Sequence, residues 1–422
     1  MLSHESNELL CRVGPGTPGN ALFRSLWLPV LPVAQLEAAG SAPIRLRLLG
    51  EDLIAFRDHQ GRIGIVQSTC AHRNAPLFYG KVESAGLRCS YHGWLYDTSG
   101  QCREIPSDAS GAICAKMKLR AYRVAEKANI VWVYMGADEP PALPHFPWID
   151  LPAPQRLATV WLQETNWVQG AEGEIDSSHV SILHKTIRSA TVTRTHRPYT
   201  YADPTPLLST HDTPIGFMSI ARRKAEAQFY WRVTQWMAPM FSFIPSAAWP
   251  TSGRAWVPID DDNTYCWDFS YSTDGALPAE FMESVERGVG FPPEYSYGSA
   301  VLNTGSTIDT WLPRRNRGND YLVDRDLQRR FEATGIFGVN DQDRALQEGM
   351  GRIVDRSREM LVAADLAIVT ARRKMLEMLR DADALARFKA VIRDGTAYAV
   401  HPIDRVAPVA DVATFLKELE AA

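Results

Sequence analysis

No excess of either charge marks this sequence. Lys and Arg total 45 against 49 Asp and Glu, a net charge of -4 over 422 residues. No basic surplus is available to neutralise phosphates, which excludes nucleic acid as the main partner. Long apolar runs are also missing. The richest early stretch, Leu26 to Val33, is short and holds two prolines, so no membrane span is expected. Met1 to Ser6 shows no basic segment leading into an apolar one, so no signal peptide is expected either. Cysteine is scarce: the six are too few and too scattered for a disulfide framework, and a reducing cytoplasm is the expected location. No G-x-G-x-x-G follows a strand-like run, which argues against a dinucleotide site. The remainder is ordinary for a globular chain, with 45% hydrophobic and 22% charged residues and enough length for two or three cores.

Against this plain background two short clusters stand out. Cys70-Ala71-His72 is followed, after sixteen residues, by Cys89-Ser90-Tyr91-His92. Each supplies one thiolate and one imidazole from a tight loop. Two sulfurs and two nitrogens suit a structural zinc ion. They equally suit a two-iron, two-sulfur cluster in which the thiolates hold one iron and the imidazoles the other. The C-x-H arm departs from the usual zinc spacing, which places two to four residues between paired cysteines. Cys11, Cys102, Cys114 and Cys266 show no ligand spacing and read as ordinary buried thiols.

Residues 42–136 read as β-rich. Ile44 to Leu49, Asp52 to Phe56, Ile63 to Val66 and Ile130 to Met135 are short apolar runs, with turn signals at Asp58 to Gly61 and Asp97 to Gly100. A proline-dense connector, Glu139 to Pro144, is the best domain boundary. Beyond it, Ala171 to Thr186 predicts a helix, 215–272 predicts strands, and Arg344 to Met360, Ala363 to Leu379 and Val412 to Ala421 predict helices. The class is α+β: an N-terminal segment at 1–40, a small all-β metal domain at 41–145, and at 146–422 a larger domain of antiparallel sheet flanked by helices.

Inside the predicted helix lie Asp176-Ser177-Ser178-His179 and His184. Asp176 and His179, three apart, share a helical face. His179 and His184, five apart, sit about 140° from each other around an ideal helix. Both reach one metal only if the helix is distorted, for instance by a π-bulge, or if the metal lies off its end. On a regular helix these would be polar residues of a solvated face, with Asp176 a local cap.

Taken together and in this order, the two constellations resemble the Rieske non-haem iron oxygenases. The C-x-H and C-x-x-H loops match, as do their flanks Arg73-Asn74-Ala75-Pro76-Leu77 and Gly93-Trp94-Leu95-Tyr96-Asp97, and Glu172 to His179 matches the catalytic domain. The chain is most similar to the phthalate-dioxygenase-like subgroup of large (alpha) subunits. It shares that subgroup's opening Gly14-Pro15-Gly16-Thr17-Pro18 and its late Asp355-Arg356-Ser357-Arg358-Glu359.

The resemblance implies a [2Fe-2S] Rieske cluster on Cys70, His72, Cys89 and His92. It also implies a mononuclear Fe(II) on His179, His184 and a downstream carboxylate. Within Asn340 to Glu348 that carboxylate aligns as Asp343, with Asp341 the alternative. Asp176 matches an aspartate that bridges a Rieske histidine of one subunit to an iron-ligand histidine of the next, in a ring of three or stacked rings. Activity would be oxygenation of an aromatic substrate, dioxygenation in the first instance, with O-demethylation or ether cleavage as the monooxygenase alternative. A separate NAD(P)H-dependent flavin and iron–sulfur reductase would supply electrons. The subgroup's aromatic carboxylates call for an arginine. The candidates are Arg188, Arg194, Arg197, Arg222, Arg223 and, foremost, Arg232, which shares a strand face with Tyr230, Thr234 and Trp236 or else stacks outward on exposed rings.

Overall fold

A computed structural model of the chain describes residues 2–38, 42–184, 197–245, 250–288, 292–330 and 333–421. Two antiparallel sheets with separate roles organise it. The N-terminal part runs α1 (His4–Cys11), α2 (Pro18–Arg24), β1 (Trp27–Pro32), α3 (Val33–Ala38), β2 (Ile44–Leu48), β3 (Glu51–Arg57) and β4 (Ile63–Gln67). It continues through β5 (Lys81–Glu83), β6 (Gly86–Arg88), β7 (Leu95–Tyr96), β8 (Cys102–Glu104), β9 (Ala121–Lys127) and β10 (Ile130–Tyr134). Six strands pair in the order β1-β10-β9-β4-β3-β2, and the four short strands β5 to β8 form a second, outlying sheet. β1 precedes residue 41 yet closes the six-stranded sheet against β10.

The C-terminal part begins with β11 (Arg156–Gln163), α4 (Trp167–Ile175), α5 (Val180–Leu183) and α6 (Arg197–Ala202). Then come β12 (Leu207–Thr213), β13 (Gly216–Ala225), β14 (Gln228–Met237), β15 (Phe241–Ile244), β16 (Thr251–Pro258) and β17 (Thr264–Tyr271). After α7 (Ala279–Glu286) and the hairpin β18 (Tyr295–Val301) and β19 (Thr307–Pro313), the chain is mostly helical. Its last elements are α8 (Arg325–Arg330), α9 (Val339–Gly349), α10 (Leu366–Arg380), α11 (Ala382–Val391), β20 (Ile403–Ala407) and α12 (Val412–Glu420). The large sheet is ordered β11-β17-β16-β15-β14-β13-β12, with β20 added to β14. The fold is α+β.

Strands β13 to β17 follow the expected strand-like region. Several helices differ from expectation, and α1, α2, α3, α7 and α8 have no expected counterpart. The predicted Ala171 to Thr186 helix stops at Ile175, where Asp176 leaves helical geometry (φ -77, ψ 110), and resumes only as the single turn of α5; Lys185 and Thr186 lie outside the described residues. α9 starts five residues earlier than expected and ends at Gly349, before Gly351 at φ 100. α11, not expected at all, is capped by Asp381, whose side chain accepts from the Asp383 N–H.

The position of α4 decides where the second constellation falls. Gly170 allows the helix to lie on β16: a Cβ there would land 2.1 Å from the Trp256 ring. Asn166 caps its start, and Trp167, Val168, Ala171 and Ile175 point into the core. On its other side the Glu172 carboxylate receives Arg356 at 3.0 Å and Arg372 at 2.6 Å. Arg356 also reaches Asn7 and Cys11 of α1, and Arg372 reaches Glu359. The N-terminal helices, α4, α10 and the Asp355 to Glu359 segment are thus fastened together behind the site.

Candidate metal centres

The first constellation sits at the tip of the β5 to β8 sheet, in two loops of the same design. In each, the cysteine N–H donates to the carbonyl five residues on (Ala75, 2.9 Å; Trp94, 2.8 Å), and the cysteine carbonyl accepts from the N–H four residues on, that of Asn74 or Gly93. Asn74 (φ 56) and Gly93 (φ 76) both take the left-handed conformation these closures need. Cys70 and Cys89 are buried, while His72 and His92 are exposed. The imidazoles meet edge to face with centroids 4.5 Å apart, and Trp94 stacks flat on His72 at 4.8 Å. Burial raises the Cys70 thiol, while the Tyr96 hydroxyl, 3.3 Å from its Sγ, partly offsets this.

One ion in tetrahedral coordination needs all four donors within about 4 Å of one another, given metal–ligand bonds near 2.0–2.3 Å. The two thiols and two imidazoles form no such group. Among the described residues the only set of three or more donors lying within 4.8 Å is His179, His184 and Asp343. Sulfurs at a buried base and nitrogens at an exposed tip suit a two-iron, two-sulfur cluster better than zinc.

The second centre is built where α4 breaks. Released from the helix, His179 and His184 turn their rings to centroids 5.2 Å apart at 81°. Their Nε2 atoms lie 3.7 and 3.2 Å from Asp343 Oδ1, which arrives on α9. Each Nδ1 faces an acceptor behind it: Asp176 Oδ2 at 3.2 Å for His179, and Gln342 Oε1 at 2.9 Å for His184. Gln342 is oriented by donating its amide N–H to the Ile336 carbonyl. Holding a proton on Nδ1 leaves the Nε2 lone pairs aimed at the shared carboxylate, which is the arrangement a divalent ion requires. Burial alone would raise Asp343, but the two imidazoles outweigh it and hold the carboxyl below its usual range. His179 moves the opposite way: burial depresses it, and Asp176 and Asp343 more than compensate.

Asp341 does not join the group. It is buried under Arg344 at 3.0 Å and Arg315 at 3.6 Å, and burial raises it to about 6 despite both guanidiniums. Asp176 is partly exposed, and its second oxygen accepts the Ser178 N–H. Arg223, almost fully buried, donates to the Ser177 carbonyl and hydroxyl and to the Asp203 carbonyl, bracing the break from the sheet side. Gln342 and this Arg223 brace were not anticipated from sequence. The only signal for Gln342 was its place beside Asp343.

Of the arginine candidates, Arg222 stacks on Phe229 at 4.6 Å. Arg188, Arg194 and the Arg197 side chain lie outside the described residues. Arg232 is half-buried on β14, opposite Ala221, on the same face as Tyr230, Thr234 and the neighbouring Arg223. That face looks toward the site: Tyr230 contacts Thr200 of α6, and Ser219 donates to the Ile175 carbonyl. The opposite face, with Trp231 and Val233, is sealed by Phe415 of α12. Across the β14–β20 pairing, the residue in register with Arg232 is Asp404. The Arg232 charge and burial together lower Arg223 to about 10, burial being the larger cause.

Comparison with known proteins fits this geometry. A Rieske [2Fe-2S] domain profile matches residues 26–123, and a LigXa C-terminal-domain-like profile matches residues 133–394. The chain belongs to the Rieske non-haem iron oxygenases. It is 37% identical over 391 residues to the 3-chlorobenzoate-3,4-dioxygenase oxygenase subunit of Comamonas testosteroni, covering 90% of this chain and 89% of that one. It is 36% identical over 411 residues to the phthalate 4,5-dioxygenase oxygenase subunit of Pseudomonas putida, covering 92% and 88%. Its fold matches dicamba monooxygenase bound to dicamba with a TM-score of 0.59 at 16% identity, over 85% of this chain and 98% of that one. The oxygenase therefore carries a Rieske cluster and a mononuclear iron, takes dioxygen, and works with a separate reductase. None of its described helices is long and apolar enough to cross a membrane.

Proposed function

We propose that this Rieske oxygenase dihydroxylates the ring of an aromatic carboxylate, with Arg232 receiving the carboxylate. The observation that carries the reading is the pairing of two features on one side of the large sheet. Two imidazole Nε2 atoms converge on Asp343, and Arg232, with Asp404 in register beside it on β20, stands on the sheet face that looks the same way. A guanidinium is matched best by a planar, bidentate anion. Both relatives named above act on substrates of this chemistry by their own names.

In this reading Cys70, Cys89, His72 and His92 hold the cluster, and His179, His184 and Asp343 hold the iron. When bound, the cluster supplies electrons and the iron the place where dioxygen is activated. The protein's own residues do the rest. Asp176 and Gln342 keep the Nδ1 protons on the two imidazoles and so fix their tautomers. Arg223 holds the 176–178 turn in place, and Arg232 orients the ring by its carboxylate. Asp176, open on one side, reaches a histidine of a neighbouring subunit in a homotrimer or stacked trimers. The exposure of His72 and His92, beside Tyr79 and Tyr91 at 70% and 60% exposure, gives a surface for that contact. Free cysteines throughout fit a cytoplasmic location.

The test is a product screen with a compatible reductase and labelled dioxygen, offering benzoate and phthalate derivatives beside their uncharged methyl esters. Two labelled oxygens in a ring diol of an acid, with esters turned over poorly, support the proposal. One labelled oxygen with loss of a methyl or aryl ether supports the monooxygenase alternative. Turnover of esters as fast as of acids removes Arg232 from its role.

A further inference from the structure

Two cysteines outside both metal centres lie against each other. Cys102, on β8, and Cys114, in the 3-10 turn Cys114–Lys116, are twelve residues apart in sequence, with their Sγ atoms at 3.1 Å. That is only about 1 Å longer than a disulfide bond. They share a small core with Cys70, Cys89 and Tyr96, at the sulfur end of the cluster loops. The stretch between them is a folded unit. Asp108 accepts the N–H groups of Ile113 and Cys114 and the Ser110 hydroxyl. Ile105 enters the same core, and Pro106 lies on the second cluster loop, where a Cβ on Gly93 would come within 2.9 Å of its Cγ. The two thiols are thus the two ends of a flap that covers that loop.

We propose that Cys102 and Cys114 are an oxidisable pair, closed to a disulfide by hydrogen peroxide, and that closure fastens residues 103–113 over the second cluster loop. The peroxide is the two-electron product of dioxygen whenever electrons reach it without substrate oxidation. Cys114 sits at the rim, at 9% exposure against 4% for Cys102. Its sulfur attacks one peroxide oxygen, breaking the O–O bond to give a sulfenic acid and water. The Cys102 sulfur then displaces the sulfenic hydroxyl as a second water and forms the S–S bond. Two thiols lose two electrons and two protons, and one peroxide becomes two waters. An added dithiol reverses the bond by exchange. Being the more exposed of the two, Cys114 meets peroxide first.

The experiment treats the full-length, cluster-loaded protein with hydrogen peroxide, alkylates it in denaturant and maps peptides by mass. The expected result is the loss of two alkylatable thiols and a Cys102–Cys114 cross-linked peptide, lighter by two hydrogens and reopened by dithiothreitol. Rieske absorbance under peroxide should also decay about threefold faster in C114A and C102A than in the unsubstituted protein, with equal decay when peroxide is omitted. Alkylation of both cysteines after peroxide, or their separate conversion to sulfinic acids, overturns the proposal. The mapping needs no variant to fold. It reads the thiols alone, so it fails independently of the substrate assignment.

Discussion

Asp341 and Asp343 are two positions apart on α9, which turns them about 200° from each other around the helix. Asp343 meets His179 and His184, and Asp341 meets Arg344 and Arg315. Substitution should separate them cleanly. D343A is expected to lose the mononuclear iron and keep the cluster, falling from about three irons to about two per chain by metal analysis while retaining visible absorbance. D341A, which strips a buried partner from Arg344, should keep about three irons but lose on the order of 3 kcal/mol of stability in denaturant unfolding. Iron loss in D341A with retention in D343A would reverse the assignment. D176N should keep both metals yet lower product formation by about 10- to 100-fold or more, the usual scale for a group that fixes a ligand imidazole; normal coupled turnover would end that role. R232Q should raise KM for an aromatic acid by about 10- to 100-fold while leaving its methyl ester unchanged. The Cys70/His72 and Cys89/His92 loops were legible in sequence because each pair lies within four residues. Asp343 needed alignment to a family, and Gln342 could not be read, since its partner His184 is 158 residues away.

At the scale of elements, the break between α4 and α5 is the feature that makes the site. A continuous helix places His179 and His184 on different faces. Sequence periodicity continued through 176–179, because nothing there is a glycine or proline to announce a stop. The tertiary braces that impose it, from Arg223 on β13 and Ser219 on the same strand, are distant in sequence. Behind the break, Glu172 ties α4 to Arg356 and Arg372. Burial pushes its carboxyl up, but the two guanidiniums prevail and leave it below the ordinary 4.5. A carboxyl with a depressed folded pKa contributes stability above its unfolded pKa and loses that contribution as pH falls through the folded value. Acid unfolding of the native protein should therefore steepen below about pH 4.5, and E172Q should flatten that slope while destabilising the protein near neutrality by about 3–5 kcal/mol. An unchanged slope in E172Q would show that the clamp is not held by charge. Strands β13 to β17 of the large sheet were legible from their alternation of bulky residues, whereas β11, β12 and β20 were not. The β18–β19 hairpin and α11 were not, because Gly and Pro punctuation hid the first and a short polar pattern the second.

For the whole molecule, the proposed electron path crosses from one subunit to the next. The α+β class was readable from the β-rich first third and the helical end. The inclusion of β1 in the first sheet was not, since α3 and β2 to β9 separate it in sequence from its partner β10. If the electron path runs between chains, mixing should restore what neither variant has. On the proposed assignments D343A should keep a cluster without iron, and C70A the iron without a cluster. Unfolding, combining and reassembling the two with iron and sulfide should recover activity in mixed trimers, whereas a path confined to one chain gives none. The most direct measurement is a single turnover. Reduced protein is mixed with a benzoate or phthalate derivative and labelled dioxygen, and Rieske absorbance and labelled product are followed together. The account predicts that the cluster oxidises as labelled product forms in the native protein, and that D343A forms no product. Labelled product at native yield from D343A would contradict it.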